Sequence, residues 1–275
     1  MTVLLIFVRL LHEASLMALF GSACLLALLN AKVSELALES RILMLGRRAS
    51  ALAALLSAPA WFALTMAKTA DGPSTDLFAP LFAARFLLLL ALPVAVWLGK
   101  IRLTIFLSGV ALILIAISSH TAAASPFGFW IVGTTSDGLH LLTGGYWIGG
   151  LCVLAGLLTQ RATAPRLTLA ISLFAKWGMV AVALLVMTGM INASMVLLGT
   201  PGHDAPSYLL VLGAKLLLVT AMIGLALVNQ YRLLPGLDRA NNLIRMRRHI
   251  GWELGLGVLV IGLAMTLAVL PPTIQ

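Results

Sequence analysis

Eight apolar runs, each bounded by polar or Pro/Gly clusters, constrain this chain more than any other feature. They extend from Leu4 to Leu29, Ala49 to Ala67, Leu77 to Leu98, Leu103 to Ser119, Gly138 to Leu158, Ile171 to Leu198, Tyr208 to Asn229 and Ile250 to Leu270. A helix of about 20 residues crosses the hydrocarbon core of a bilayer. Inside that core every backbone N–H and C=O must be satisfied within the protein, which these runs can do as helices. The chain is therefore expected to be an all-α, polytopic membrane protein with eight transmembrane helices. A composition of 61% hydrophobic and 10% charged residues excludes an ordinary soluble domain.

The formal charge of +9 has two readings, an acidic partner or an orientation signal, because cytoplasmic connections collect Lys and Arg. The positions decide between them. Lys32, Arg41, Arg47 and Arg48 follow the first run, Lys100 and Arg102 the third, Arg161, Arg166 and Lys176 the fifth, and Arg232, Arg239, Arg245, Arg247 and Arg248 the seventh. Fourteen of the eighteen basic residues thus fall in alternate connections; Arg9, Arg85 and Lys215 lie within runs, and Lys68 sits beside an opposite connection. This predicts a multi-pass protein of the bacterial inner membrane, with both termini periplasmic and the lipid bilayer, not nucleic acid, as its surroundings.

Other signals are local. Met-Thr-Val-Leu-Leu has no basic n-region, and Gly21-Ser-Ala-Cys24 lacks the aliphatic residue of a lipoprotein box, so the first run is expected to be retained. Cys24 and Cys152 lie inside apolar runs and give neither a disulfide framework nor a thiolate zinc cluster. Val33 to Leu45 reads as a short interfacial helix, and Phe127, Phe129 and Trp130 as an aromatic belt.

The chain also matches itself. His12, Gly21 and Cys24 recur as His140, Gly149 and Cys152 at an offset of 128; Ala54-Leu-Leu56 meets Ala183-Leu-Leu185 at 129, and Ala84-Arg85 meets Ala214-Lys215 at 130. An even number of spans per half keeps both halves in one orientation. The expected plan is a single domain over 1–275 built as a parallel four-plus-four repeat, with halves 1–125 and 126–275.

Ionisable groups inside a bilayer cost roughly 2.5 to 3.5 kcal/mol each on insertion scales, so each is a functional candidate. His12 lies roughly 12 Å from the outer end of its run at 1.5 Å per residue. His140 falls in the first turns of the fifth run, His120 follows the fourth, and His203 is in the connection after the sixth. Four of the five histidines thus face the outer side. Imidazole and thioether suit copper, the thioether favouring Cu(I), which makes His12, His140, His120, His203 and Met190 candidate ligands. Structural hydrogen bonding for the histidines and core packing for the methionines are the alternatives. Arg9, Glu13, Arg85 and Lys215 read as an ion network, with Arg9 and Glu13 spaced i,i+4.

These same residues carry a resemblance. Asp137-Gly-Leu-His140 continuing to Trp147-Ile-Gly149-Gly150 resembles the His, Trp-x-Gly-Gly signature of the copper resistance D (CopD) family of bacterial inner-membrane proteins. Arg9-Leu-Leu-His12 with Phe20-Gly21, Ser119-His120, Thr188-Gly189-Met-Ile-Asn192, Lys215-Leu-Leu-Leu, Asn229-Gln-Tyr-Arg232 with Pro235, and Leu270-Pro271-Pro272 follow in the family's order. The resemblance implies an eight-helix protein that handles copper with a periplasmic copper-binding partner of the CopC type. It assigns the metal role to His12, His120 and His140. Asn229-Gln230 departs from the family's usual Asn-Arg.

The function expected is a non-enzymatic copper homeostasis protein, taking Cu(I) or Cu(II) from a periplasmic donor and transferring or importing it through an outer His/Met site. No Walker motif is present to drive the step with ATP. The alternative is a b-type haem protein with His12 and His140 as axial ligands, passing electrons for periplasmic copper reduction.

Overall fold

The computed structural model describes residues 1–32, 41–68, 75–117, 130–159, 164–199, 206–237 and 239–270. Among these run eight α-helices and no strand: α1 (Thr2–Lys32), α2 (Arg41–Lys68), α3 (Thr75–Trp97), α4 (Ile101–Ile117), α5 (Trp130–Thr159), α6 (Ala164–Gly199), α7 (Pro206–Val228) and α8 (Ala240–Leu267). Seven are long and apolar enough to cross a membrane; α4, with 17 residues, extends about 26 Å. The chain is an all-helical polytopic membrane protein.

Every helix starts before its apolar run, and α1, α2, α5 and α6 also end beyond it, because backbone hydrogen bonding continues past the hydrocarbon boundary. Helix α5 begins at Trp130, not Gly138, so Asp137 lies two turns inside it. The expected interfacial helix is corrected in part. Arg41 to Leu45 form the first turn of α2, while 33–40 lie outside the described residues, as do Phe127 and Phe129. Trp130 opens α5 with an exposed ring.

Helix α7 ends in a π-helical turn (Asn229–Leu233) and a 3-10 turn (Leu234–Gly236). Pro235 accounts for the break: it has no N–H to donate, and its ring would collide with the carbonyl four residues earlier in a regular helix. The Gly236 carbonyl then accepts from the Arg239 N–H at 3.1 Å and from the Asn242 side-chain amide at 2.8 Å.

Helices α1 and α5 form the centre and make the most extensive pairing of the molecule. Glycine permits this closeness. A Cβ at Gly21 would overlap the Gly145 carbonyl oxygen and stand 2.9 Å from the Gly149 Cα; one at Gly149 would stand 2.6 Å from the Gly21 Cα. Gly145 and Gly149 form a small-xxx-small step, the spacing that lets membrane helices touch backbone to backbone.

Around this axis α1 to α4 close into a ring: α1 packs on α2 and α4, and α3 bridges those two. Leu16, Leu19, Leu89 and Leu112 fill its interior. In α5 to α8 the ring stays open. Helix α5 packs on α6 and α8, and α8 on α7, but α6 and α7 have no extended contact. They meet through Val196 and Tyr208 at one end and through the 3-10 turn at the other. Helix α7 buries only Tyr208 and Met222, as suits an outermost helix facing lipid.

Candidate metal centre

His12 projects from α1 and is wholly buried. Its Nδ1 lies 2.9 Å from the Ser57 Oγ of α2, and the Ser57 hydroxyl donates to the Ala53 carbonyl at 2.6 Å. A serine hydroxyl carries one proton, already committed to Ala53, so Ser57 accepts from His12 and the ring proton sits on Nδ1. The lone pair is left on Nε2, which is buried without a hydrogen-bond partner.

His140 of α5 repeats this arrangement in detail. Its Nδ1 stands 2.9 Å from the Thr188 Oγ1 of α6, whose hydroxyl donates to the Leu184 carbonyl at 2.6 Å. The same proton count places the free lone pair on Nε2. Ser57 and Thr188 are 131 residues apart, so hydrogen bonding equates α2 with α6 two residues away from the sequence register of 129. Neither hydroxyl stood out in the sequence; serine and threonine in apolar helices usually bond back to their own carbonyls, and only the fold shows the histidine at the other lone pair.

Charges gather beside both rings. Arg9 and Glu13 pair at 3.6 Å as their i,i+4 spacing predicts. Trp61 of α2 is their hub: it meets His12 edge-on at 5.2 Å, and the guanidinium groups of Arg85 and Arg9 lie 4.1 and 5.0 Å from its ring centre. Arg85 also lies 4.2 Å over Phe82, and the Glu13 charge acts on it. Cation–π contact of this kind compensates a buried guanidinium for part of its lost hydration.

Next to His140, Asp137 accepts from the Asn192 amide at 3.3 Å, and its charge acts on Lys215. Lys215 in turn acts on His140, as Arg85 does on His12. Glu13 and Asp137 lie within electrostatic reach of each other across the α1–α5 pairing. The expected network of Arg9, Glu13, Arg85 and Lys215 thus gains Asp137, which the sequence reading left outside its span.

The remaining predicted ligands are not assembled here. His120 and His203 lie outside the described residues, and the Met190 side chain is 67% exposed on α6. Among the described residues no group of three or more His, Cys, Asp or Glu could hold a metal ion. Cys24 and Cys152 are both half-buried thiols.

Comparison with known proteins finds two matching regions of the chain. Residues 1–126 match the family described as Copper resistance protein D-like, N-terminal domain, and residues 168–267 match Copper resistance protein D. A curated relative, Copper resistance protein D of Pseudomonas syringae pv. tomato, is 31% identical over 193 residues, covering 65% of this chain and 61% of the relative. No solved structure matches. The chain belongs to the copper resistance protein D family of membrane proteins.

Proposed function

We propose that the protein takes copper from a periplasmic donor of the CopC type and transfers it into or across the bacterial inner membrane at a site built on His12 and His140. The observation that carries this reading is the pair of hydroxyl-anchored rings. A metal-binding histidine characteristically donates its second ring N–H to a fixed acceptor, which sets the tautomer and aims the lone pair. Ser57 and Thr188 do this for the two rings. With each Nδ1 tied to its anchoring hydroxyl, Nε2 is the nitrogen of each ring left to bind a metal.

The likeness of the two surroundings supports the reading: each histidine is held by one hydroxyl and has one cation acting on it. Two imidazoles satisfy the low coordination number that Cu(I) accepts, and His120, His203 or a methionine would complete a higher one. The neighbouring carboxylates Glu13 and Asp137 favour approach of a cation, while Arg85 and Lys215 keep the empty site from being strongly negative. With both termini periplasmic, this end of the bundle faces the donor.

The decisive experiment is copper uptake by proteoliposomes loaded from a copper-charged periplasmic donor, with metal and haem content measured on the same preparation. Uptake that is lost in His12→Ala and His140→Ala, by colourless protein, is the expected result. Donor binding without uptake removes transfer across the membrane, and a Soret band lost in the same variants assigns the two rings to haem b.

A further inference from the structure

A second polar cluster lies where the end of α7 meets the middle of α5, at Trp147, two turns beyond His140. Glu253 of α8 is 1% exposed, and one of its carboxyl oxygens accepts from the Asn229 amide at 2.5 Å. The Asn229 carbonyl oxygen accepts from His249 Nδ1 at 2.8 Å. Asn229 holds this position because it opens the π-helical turn, a distortion that often marks functional sites in helices. Trp147, buried on α5, turns its indole toward the Glu253 carboxyl, but its N–H makes no hydrogen bond of ordinary geometry. The Gln230 side-chain carbonyl is also buried without a partner.

All four side chains, Trp147, Asn229, Gln230 and Glu253, line one end of a cavity of about 240 Å³. Its walls are apolar and come from α6, including Phe174 and Gly178, and from α7, including Ile223 and Leu227. It therefore occupies the gap where α6 and α7 fail to pack, the place where the otherwise matching α2 and α3 are in contact. A compartment open between two lipid-facing helices receives its occupant from the bilayer.

We propose that this cavity binds the ring of a lipid-soluble quinone or quinol. The occupant must offer a hydrogen-bond acceptor to the Trp147 N–H and a donor or acceptor to Gln230 and Glu253, which an acyl chain cannot do; buried polar groups left unpaired are costly. A phosphate head group would find no cation to receive its charge, since no Lys or Arg lines the cavity. The volume falls below the 300–1,000 Å³ usual for drug-sized ligands, so a single substituted ring fills it and an isoprenoid tail runs out through the gap. Apolar walls with a few converging polar groups are the general form of such sites.

The test is calorimetric titration of the full chain, in nanodiscs of defined phospholipid, with decylubiquinone. Gly178→Leu fills the cavity from a position where an added Cβ meets nothing within 4 Å, and Trp147→Phe removes the N–H while keeping an aromatic ring. Saturable one-to-one binding, weakened by about tenfold or more in each variant, is expected, with copper binding by Gly178→Leu unchanged as the control for folding. Binding no greater than partition into empty nanodiscs, equal binding by Gly178→Leu, or a tightly held phospholipid in the cavity by native mass spectrometry would each overturn the proposal. Copper binding at His12 and His140 is read separately, so either site can fail without the other.

Discussion

At the scale of single residues, the two histidines differ from ordinary buried ones in what their hydroxyl partners do. Ser57 and Thr188 each spend their only proton on their own helix, at 2.6 Å in both cases, and so can only accept from the ring. Removing the acceptor frees the imidazole to rotate or change tautomer. Ser57→Ala and Thr188→Val are therefore expected to weaken Cu(I) affinity by about 10- to 100-fold, the range found when outer partners of metal-binding histidines are lost. Thr188→Ser should restore it. Chelator-competition titrations of the three variants check this; unchanged affinity in both truncations would leave the hydroxyls with packing alone. The histidines were legible in the sequence because ionisable residues stand out in apolar runs, and so were Arg85 and Lys215. The hydroxyls were not, since a helix conceals them until the neighbouring helix is known.

Glu13 poses a different question at the same scale. It is 2% exposed, pairs with Arg9 and acts on Arg85, so one carboxylate compensates two guanidinium groups. Truncating one partner of a buried ion pair typically destabilises by about 3–5 kcal/mol because the other charge is stranded. Glu13→Leu should therefore lower unfolding stability in detergent more than Arg9→Met, which leaves Arg85 still opposite the carboxylate. The reverse order would show that cation–π contact with Trp61 alone suffices for Arg85.

At the scale of elements, the crossing of α1 on α5 sets the positions of both histidines. His12 precedes Gly21, and His140 precedes Gly149, by nine residues, so the glycines act as a common origin for the two side chains. A methyl group at Gly149 would meet the Gly21 backbone, which cannot yield as a flexible side chain would. Gly149→Ala is expected to cost about 1–3 kcal/mol, the usual range for overpacking, and to lower copper affinity by spreading the rings. Gly178→Ala, with open space at its Cβ, should do neither. Thermal unfolding in detergent with parallel copper titration distinguishes the two. The sequence flagged Gly21 and Gly149 as matched positions without saying what they do, because helix crossing depends on which faces meet, and apolar periodicity is nearly featureless when lipid and core are both apolar. The same blurring displaced the helix starts: hydropathy marks where hydrocarbon begins, whereas α2 and α5 begin earlier, at Arg41 and Trp130.

At the scale of the whole molecule, two arrangements of copper are consistent with one histidine per half: two independent sites, or one site shared across the α1–α5 axis. The close pairing of α1 and α5, which carry the two rings, favours the second. Each Nδ1 is tied to the second helix of its own half, which leaves Nε2 as the coordinating nitrogen of each ring. Glu13 and Asp137 already feel each other across that pairing. A shared site makes the two histidines non-additive, because either one alone leaves copper with half its ligands. Wild-type protein should thus bind one Cu(I), and His12→Ala and His140→Ala should each abolish tight binding as completely as the double variant does. Stoichiometry by elemental analysis after equilibration with a Cu(I) chelator reads this directly. Two copper ions in the wild type and one in each single variant would assign a separate site to each half, and would make the α1–α5 crossing a structural seam instead of the place where copper is held.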